Sequence, residues 1–161
     1  MKTKIYPNLA VTLVVILSMS CSKSNEIIED DDSLIFSVHY FGGWTMIDET
    51  LTINSGATHY SAGYYDREAM KRKSYQTTIK TSDEQWDHLT KAFNLEAFTK
   101  IKDGSCSACV DGVDETFSVI KNGETYSFYN GIADEHYQQI QGFFDSIYEQ
   151  LETFRNNAKY K

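Results

Sequence analysis

Asn122-Gly123 restricts this chain's fold more than any other pair of residues. It is flanked by Phe117-Ser118-Val119-Ile120-Lys121 and Thr125-Tyr126-Ser127-Phe128-Tyr129, two runs rich in strand formers. Asn-Gly suits the two-residue type I′ turn, because both central residues need positive φ and the turn's twist matches that of the strands. An antiparallel hairpin over residues 116–128 is therefore expected, and the rest of the domain must pack around it. A second constraint follows it: Tyr137, Ile140, Phe144, Ile147, Leu151 and Phe154 recur three or four residues apart. That spacing predicts one long amphipathic helix from Asp134 to about Phe154. Gly142 within it is expected to mark close packing on the sheet.

Upstream, residues 34–41 form a strand-like run that stops at Gly42-Gly43. Residues 44–54 alternate, with Ile47, Glu49, Leu51 and Ile53 on one mostly apolar face, as in a half-buried strand. Asn54-Ser55-Gly56 reads as a turn. Residues 58–65 and 75–80 read as a third and a fourth strand, with the charged stretch 66–73 as an exposed loop between them. Ser82-Asp83-Glu84-Gln85 matches a capping box, and Trp86, Leu89 and Phe93 follow at helical spacing. The order of strands, helix, hairpin and helix indicates an α+β fold: an antiparallel sheet with a short central helix and a long C-terminal helix packed on it.

The chain has 161 residues and a formal net charge of −8, from Lys+Arg 15 against Asp+Glu 23. That length suits one domain with a tail. The charge excludes a binder that tracks nucleic-acid phosphates with a basic surface. At 14% aromatic residues, disorder over most of the length is excluded as well.

The N-terminus carries an address. Lys2 and Lys4 precede an apolar run over residues 9–17, then come Ser18, Ser20 and Cys21. This is the layout of a secretory signal, and the run is too short for a membrane span of about 20 residues. The Cys directly after it resembles a bacterial lipoprotein signal. Ser20 fits the position before the Cys, while Ser18 stands where Leu is usual and Leu17 lies one place further out, the looser pattern of bacteroidete-type lipoproteins. The resemblance implies that Cys21 carries a lipid, that residues 1–20 are removed and that the protein is anchored in the bacterial outer membrane. Residues 21–32 are polar, end in Glu29-Asp30-Asp31-Asp32 and read as a solvated tether. The single folded domain is expected over 33–156, with 157–161 as a tail.

Several groups could carry chemistry. Cys106-Ser107-Ala108-Cys109 is a CxxC with no strand leading into it and Asp111-Gly112 where a helix should start, so the helix terminus that lowers thiol pKa in redox sites is missing. One CxxC supplies only two of the four ligands of a zinc site. A disulfide stapling the loop before the hairpin is the expectation for an exported chain. Asp111, Asp114 and Glu115 lack calcium-loop spacing and read as a solvated acidic loop. His39, His59, His88 and His136 belong to no catalytic motif. Gly42-Gly43-Trp44 reads as a tight turn, with a binding edge as its functional alternative, and Tyr60, Tyr64 and Tyr65 nearby offer a sugar or peptide surface.

From Phe41 onward, the order Phe41-Gly42-Gly43, a helix from Ser82, and Asp111-Gly112 before a strand pair resembles the emfourin-like domains that inhibit thermolysin-type metalloproteases. No inhibitory residue is carried over. The expectation is a lipid-anchored, non-catalytic binding or accessory domain of the envelope, with no cofactor, no metal site and a protein or glycan partner. The alternatives are an envelope thiol/disulfide or metal-dependent protein using Cys106 and Cys109, and a protease-inhibitor module.

Overall fold

Asn122 and Gly123 adopt φ of 53° and 76°, the left-handed pair that a type I′ turn requires. They join β5 (Val113–Lys121) to β6 (Glu124–Tyr129). A computed structural model describes residues 34–44 and 46–158; the leader, Cys21 and the whole of the tether lie outside the described residues. Four strands precede the hairpin: β1 (Ile35–Gly42), β2 (Ile47–Ile53), β3 (Ala57–Asp66) and β4 (Lys71–Lys80). They form one antiparallel sheet in the order β4-β3-β2-β1-β5-β6. With α1 (Asp83–Ala92), α2 (Leu95–Phe98), α3 (Glu135–Gln139) and α4 (Gln141–Ala158), this is the α+β architecture expected. Among the described residues no helix is long and apolar enough to cross a membrane.

One sheet face is apolar and carries the helices. Phe36, Val38, Leu51, Ile53, Tyr60, Phe117, Val119 and Phe128 line it, and Leu89, Phe143, Phe144, Ile147, Leu151 and Phe154 close over it. Aromatic edges and faces fill the interior, with Phe117 against Phe144 at 4.7 Å and Phe36 against Phe143 at 4.9 Å. The opposite face is polar. One row across all six strands reads Thr78, His59, Thr52, Ser37, Ser118, Ser127, the solvated side of a one-sided antiparallel sheet.

Three expectations need correction. The stretch 66–73 is not an exposed loop: β3 runs through Asp66 and β4 starts at Lys71, leaving a turn over residues 67–70. Charge misled here because β4 is an edge strand, where Lys and Arg face water and block further pairing; Lys73 meets Asp66 at 2.6 Å. The C-terminal helix breaks at Ile140, which leaves helical geometry with φ −122°. Asp134 caps the short α3 by accepting from His136 N at 2.8 Å, and Ile140 still reaches the core. Gly142 marks no close packing, since a Cβ built there meets nothing within 4 Å. At the α1 N-cap, Ser82 accepts from Gln85 N at 3.2 Å, the first half of the capping box.

Candidate functional site

β2 alternates with one apolar face, yet the second inward position on that face is Glu49. The register aligns it with Tyr40 on β1, and Tyr40 with Glu115 on β5. Three neighbouring strands thus place Glu49, Tyr40 and Glu115 side by side on the helix-covered face. Glu49 is 2% exposed and Glu115 5%. Buried carboxylates need partners, and α4 supplies them from its buried stripe. Arg155, one turn after Leu151, donates to both oxygens of Glu49: Nε at 3.0 Å and 2.9 Å, Nη2 at 2.6 Å. Its Nη1 reaches Glu152 at 2.6 Å. The guanidinium lies over the Tyr40 ring, 4.9 Å from its centre. Tyr60 donates to Glu49 at 2.6 Å.

Glu115 is held differently. Tyr148, one turn after Phe144 on α4, donates to its Oε2 at 2.8 Å, and the Tyr137 hydroxyl lies 3.0 Å from that of Tyr148. The Tyr40 hydroxyl stands close enough to the carboxyl to pull its pKa down, while Oε1 accepts no hydrogen bond of good geometry. Burial pushes the Glu115 carboxyl above its ordinary range, against the pull of Tyr40, Tyr148 and Arg155. Burial also raises Tyr40, Tyr60 and Tyr148, and raises Tyr137 to about 12, so all four remain neutral. The row therefore offers one satisfied ion pair, and beside it one weakly acidic carboxyl with a free oxygen.

Arg155 separates two open clefts. One, of about 510 Å³, lies over β2, β3 and β4 and includes Glu49, Tyr60, Tyr64 and Tyr75. The other, of about 500 Å³, runs between Tyr40 and the loop before β5, with Ile47, Ser105, Ser107, Val113, Glu115, Asn130 and Ile132 in its walls.

That loop is anchored by Asp114, which is fully buried. Its Oδ1 accepts from Ser107 N at 2.6 Å, Ala108 N at 3.1 Å and Asn130 Nδ2 at 2.6 Å, while Oδ2 accepts from the Tyr129 hydroxyl. Burial raises this carboxyl, but those four donors outweigh it and hold its pKa below the usual range. Asp114 and Glu115 are thus not a solvated acidic loop. They point to opposite faces of β5, and both are buried. Cys106 and Cys109 are joined, with Cα atoms 5.5 Å apart. They flank the start of a single 3₁₀ turn, Ala108–Val110, and not the N-terminus of an α-helix. Among the described residues no group of three or more His, Cys, Asp or Glu is placed to hold a metal ion.

The other singled-out residues scatter. His39 pairs with Asp48 at 3.0 Å on the open sheet face, His59 with Thr78, His88 with Ser146 and His136 with Asp134. Tyr60 and Tyr64 share the cleft over β2, β3 and β4, whereas Tyr65 points to the opposite face from Tyr64, so the three tyrosines do not form one surface. Gly42 and Gly43 do form a turn, at φ of 107° and 70°, and a Cβ on Gly42 would come within 2.9 Å of Ala108 Cβ and of the Gly112 carbonyl.

β1, β3 and β6 finish, and β2, β4 and β5 begin, at one end of the sheet, and both clefts open there. Among the described residues, eight large apolar side chains stand exposed, and of these only Ile79 lies elsewhere. Trp44, Met46, Met70 and Val110 sit on three turns, with Tyr64, Val113 and Ile132 beside them. The turns touch: Arg67 lies over the Trp44 ring at 5.2 Å and donates to its carbonyl at 2.7 Å, and Gly43 N donates to Gly112 O at 2.8 Å.

Sequence reasoning missed the polar row. Its signals were a Glu in the apolar phase of β2, and Tyr148 and Arg155 each one turn beyond a core residue of α4. No protein-family model matches the chain, and no curated protein matches it.

Proposed function

We propose that this protein is a lipid-anchored, non-catalytic binding domain of the bacterial outer membrane that docks a protein partner through the apolar end of its sheet. One observation carries the reading: among the described residues, seven of the eight exposed large apolar side chains gather at that end. Single exposed apolar residues are ordinary, whereas a gathered set marks an interaction surface. Turns displayed by a rigid sheet are where binding residues concentrate. The chain enters β1 at Ile35, the opposite end of the sheet.

The test uses the full chain with its leader in a bacterial envelope. Intact mass spectrometry reads acylation at Cys21. A photoactivatable phenylalanine replaces Trp44 in one version and Thr125, at the opposite end, in another. The expected result is an acylated chain that gives one defined protein adduct from position 44, none from position 125, and none from position 44 when Met46→Asp is added. Adducts of equal yield from both positions, or an unacylated chain, would overturn the reading.

A further inference from the structure

We propose that the cleft between Tyr40 and the cystine loop takes a primary ammonium group on a short aliphatic chain, with Glu115 as its counter-ion. The site lies in the same apolar end and deepens the binding reading above, but its test needs no partner and so stands or fails separately.

The first argument is the orphaned oxygen. Glu115 is 5% exposed, Tyr148 fills Oε2, and Oε1 has no donor. Buried polar atoms without partners are uncommon in folded proteins, and each calls for an explanation. A donor arriving in the cleft supplies one. Glu115 lines the cleft, and the terminal torsion of a glutamate is soft, so a small rotation of the carboxyl is enough to present Oε1 there.

Charge selects the donor. Glu49, Glu115 and Glu152 lie around a single guanidinium, and Arg155 hydrogen-bonds to Glu49 and Glu152. Glu115 is the carboxyl left without a cation of its own. An anionic ligand would add to that excess, and a neutral donor would leave it in place. A protonated amine satisfies both the orphan oxygen and the charge, and hydrogen bonds between charged partners are the stronger kind. A guanidinium ligand fits less well, because its planar fork prefers a carboxylate with both oxygens free, and here Oε2 belongs to Tyr148.

The walls select the rest of the ligand. Ile47, Val113 and Ile132 give an apolar side for methylenes, while Ser105 and Ser107, also in the walls, carry hydroxyls able to accept. At about 500 Å³ the cleft has the volume of a small-molecule site. The same chemistry comes from two sources, a free alkylamine or a lysine side chain of a docked protein.

The probes are n-butylamine as its hydrochloride, n-butanol as its uncharged counterpart, and Nα-acetyl-lysine N-methylamide as the peptide form. Each is titrated into the folded chain while the methyl resonances of Ile47, Val113 and Ile132 are followed by NMR. Butylamine is expected to shift all three saturably, at least tenfold more tightly than butanol and at least tenfold more tightly than in Glu115→Gln. Ile132→Trp, at a half-exposed position, fills the mouth and should abolish the shifts, which keeps the test valid if Glu115→Gln folds poorly. Binding of both amines supports the site and assigns it to lysine side chains as well as free amines. Binding of butylamine alone supports it and assigns it to free amines. No saturable shift, equal binding of butanol, or unchanged binding in both variants overturns it.

Discussion

Removing Arg155 tests the physical account of the polar row most directly. In Arg155→Met, Glu49 keeps only the Tyr60 hydroxyl while remaining 2% exposed. Breaking a buried ion pair by deleting one partner costs about 3–5 kcal/mol, because the remaining charge is stranded. The Arg155 side chain is 26% exposed and two clefts admit water beside it, which puts the cost near the lower limit, about 3 kcal/mol. For a domain of this size, between the small and medium classes, that is a fall in Tm of about 12 °C. Glu49→Gln should cost less, about 1–2 kcal/mol, since Gln still accepts from Tyr60 and Arg155 keeps Glu152 and water. The double variant strands neither charge and should be more stable than Arg155→Met alone, by about 1 kcal/mol or more. Urea denaturation followed by the fluorescence of Trp86, which packs 5.6 Å from Phe36, measures all four proteins. An Arg155→Met cost under about 1 kcal/mol, or single-variant costs that simply add, would refute the reasoning.

Other outcomes follow from the same geometry. Burial holds the Glu115 carboxyl above its ordinary 4.5. Its contribution to stability is therefore fully present below that value and is lost as pH rises through the folded-state pKa. Urea titrations across this window should show a falling limb that Glu115→Gln removes. The pKa values of Asp66, Glu96, Asp114 and Asp134 are lowered, so their contributions are lost in the opposite direction, as pH falls through their folded values below the ordinary 3.8 to 4.5. Asp114→Ala should speed hydrogen exchange at the Ser107 and Ala108 amides, which it accepts from, while protection in β1 and β5 is retained; unchanged exchange would show that the loop does not depend on this acid. Cys106→Ser with Cys109→Ser opens a very short loop, for which chain entropy gives about 2 kcal/mol at most. A larger loss in urea denaturation would mean that the cystine loop supports the core.

The sequence showed periodicity plainly and pairing poorly, for physical reasons. The Asn122-Gly123 hairpin and the stripe from Tyr137 to Phe154 were legible because each is specified by residues close along the chain. Glu49 and Glu115 were not, because a carboxylate on a strand becomes buried only when a distant helix brings it a cation, and Arg155 lies 106 residues from Glu49. Charge density misled twice in the same way. At residues 66–73 it marks the start of an edge strand and not a loop. At Asp114 and Glu115 it marked two buried acids on opposite faces of one strand. Alternation alone would have separated the last pair, since neighbours on a strand cannot share a face.

The polar row also bears on why the binding end lies where it does. Elsewhere the helices seal the sheet with Phe, Ile and Leu, and such a surface leaves no cleft. At the inward-facing positions of β1, β2 and β5 one step in from the turns, the chain places Tyr40, Glu49 and Glu115 instead, and Arg155 reaches this row from the last turns of α4. A buried ion pair adds little net stability compared with well-packed apolar residues, so stability alone does not account for it. What the row does is hold the end of α4 on the sheet by directional bonds and leave open space on both sides of one guanidinium. An apolar seal at the same positions would fix the helix equally well and close both clefts. Replacing Glu49 and Arg155 together by Leu and Met should therefore leave the fold standing while erasing the clefts, the expected consequence of a row that shapes a binding end.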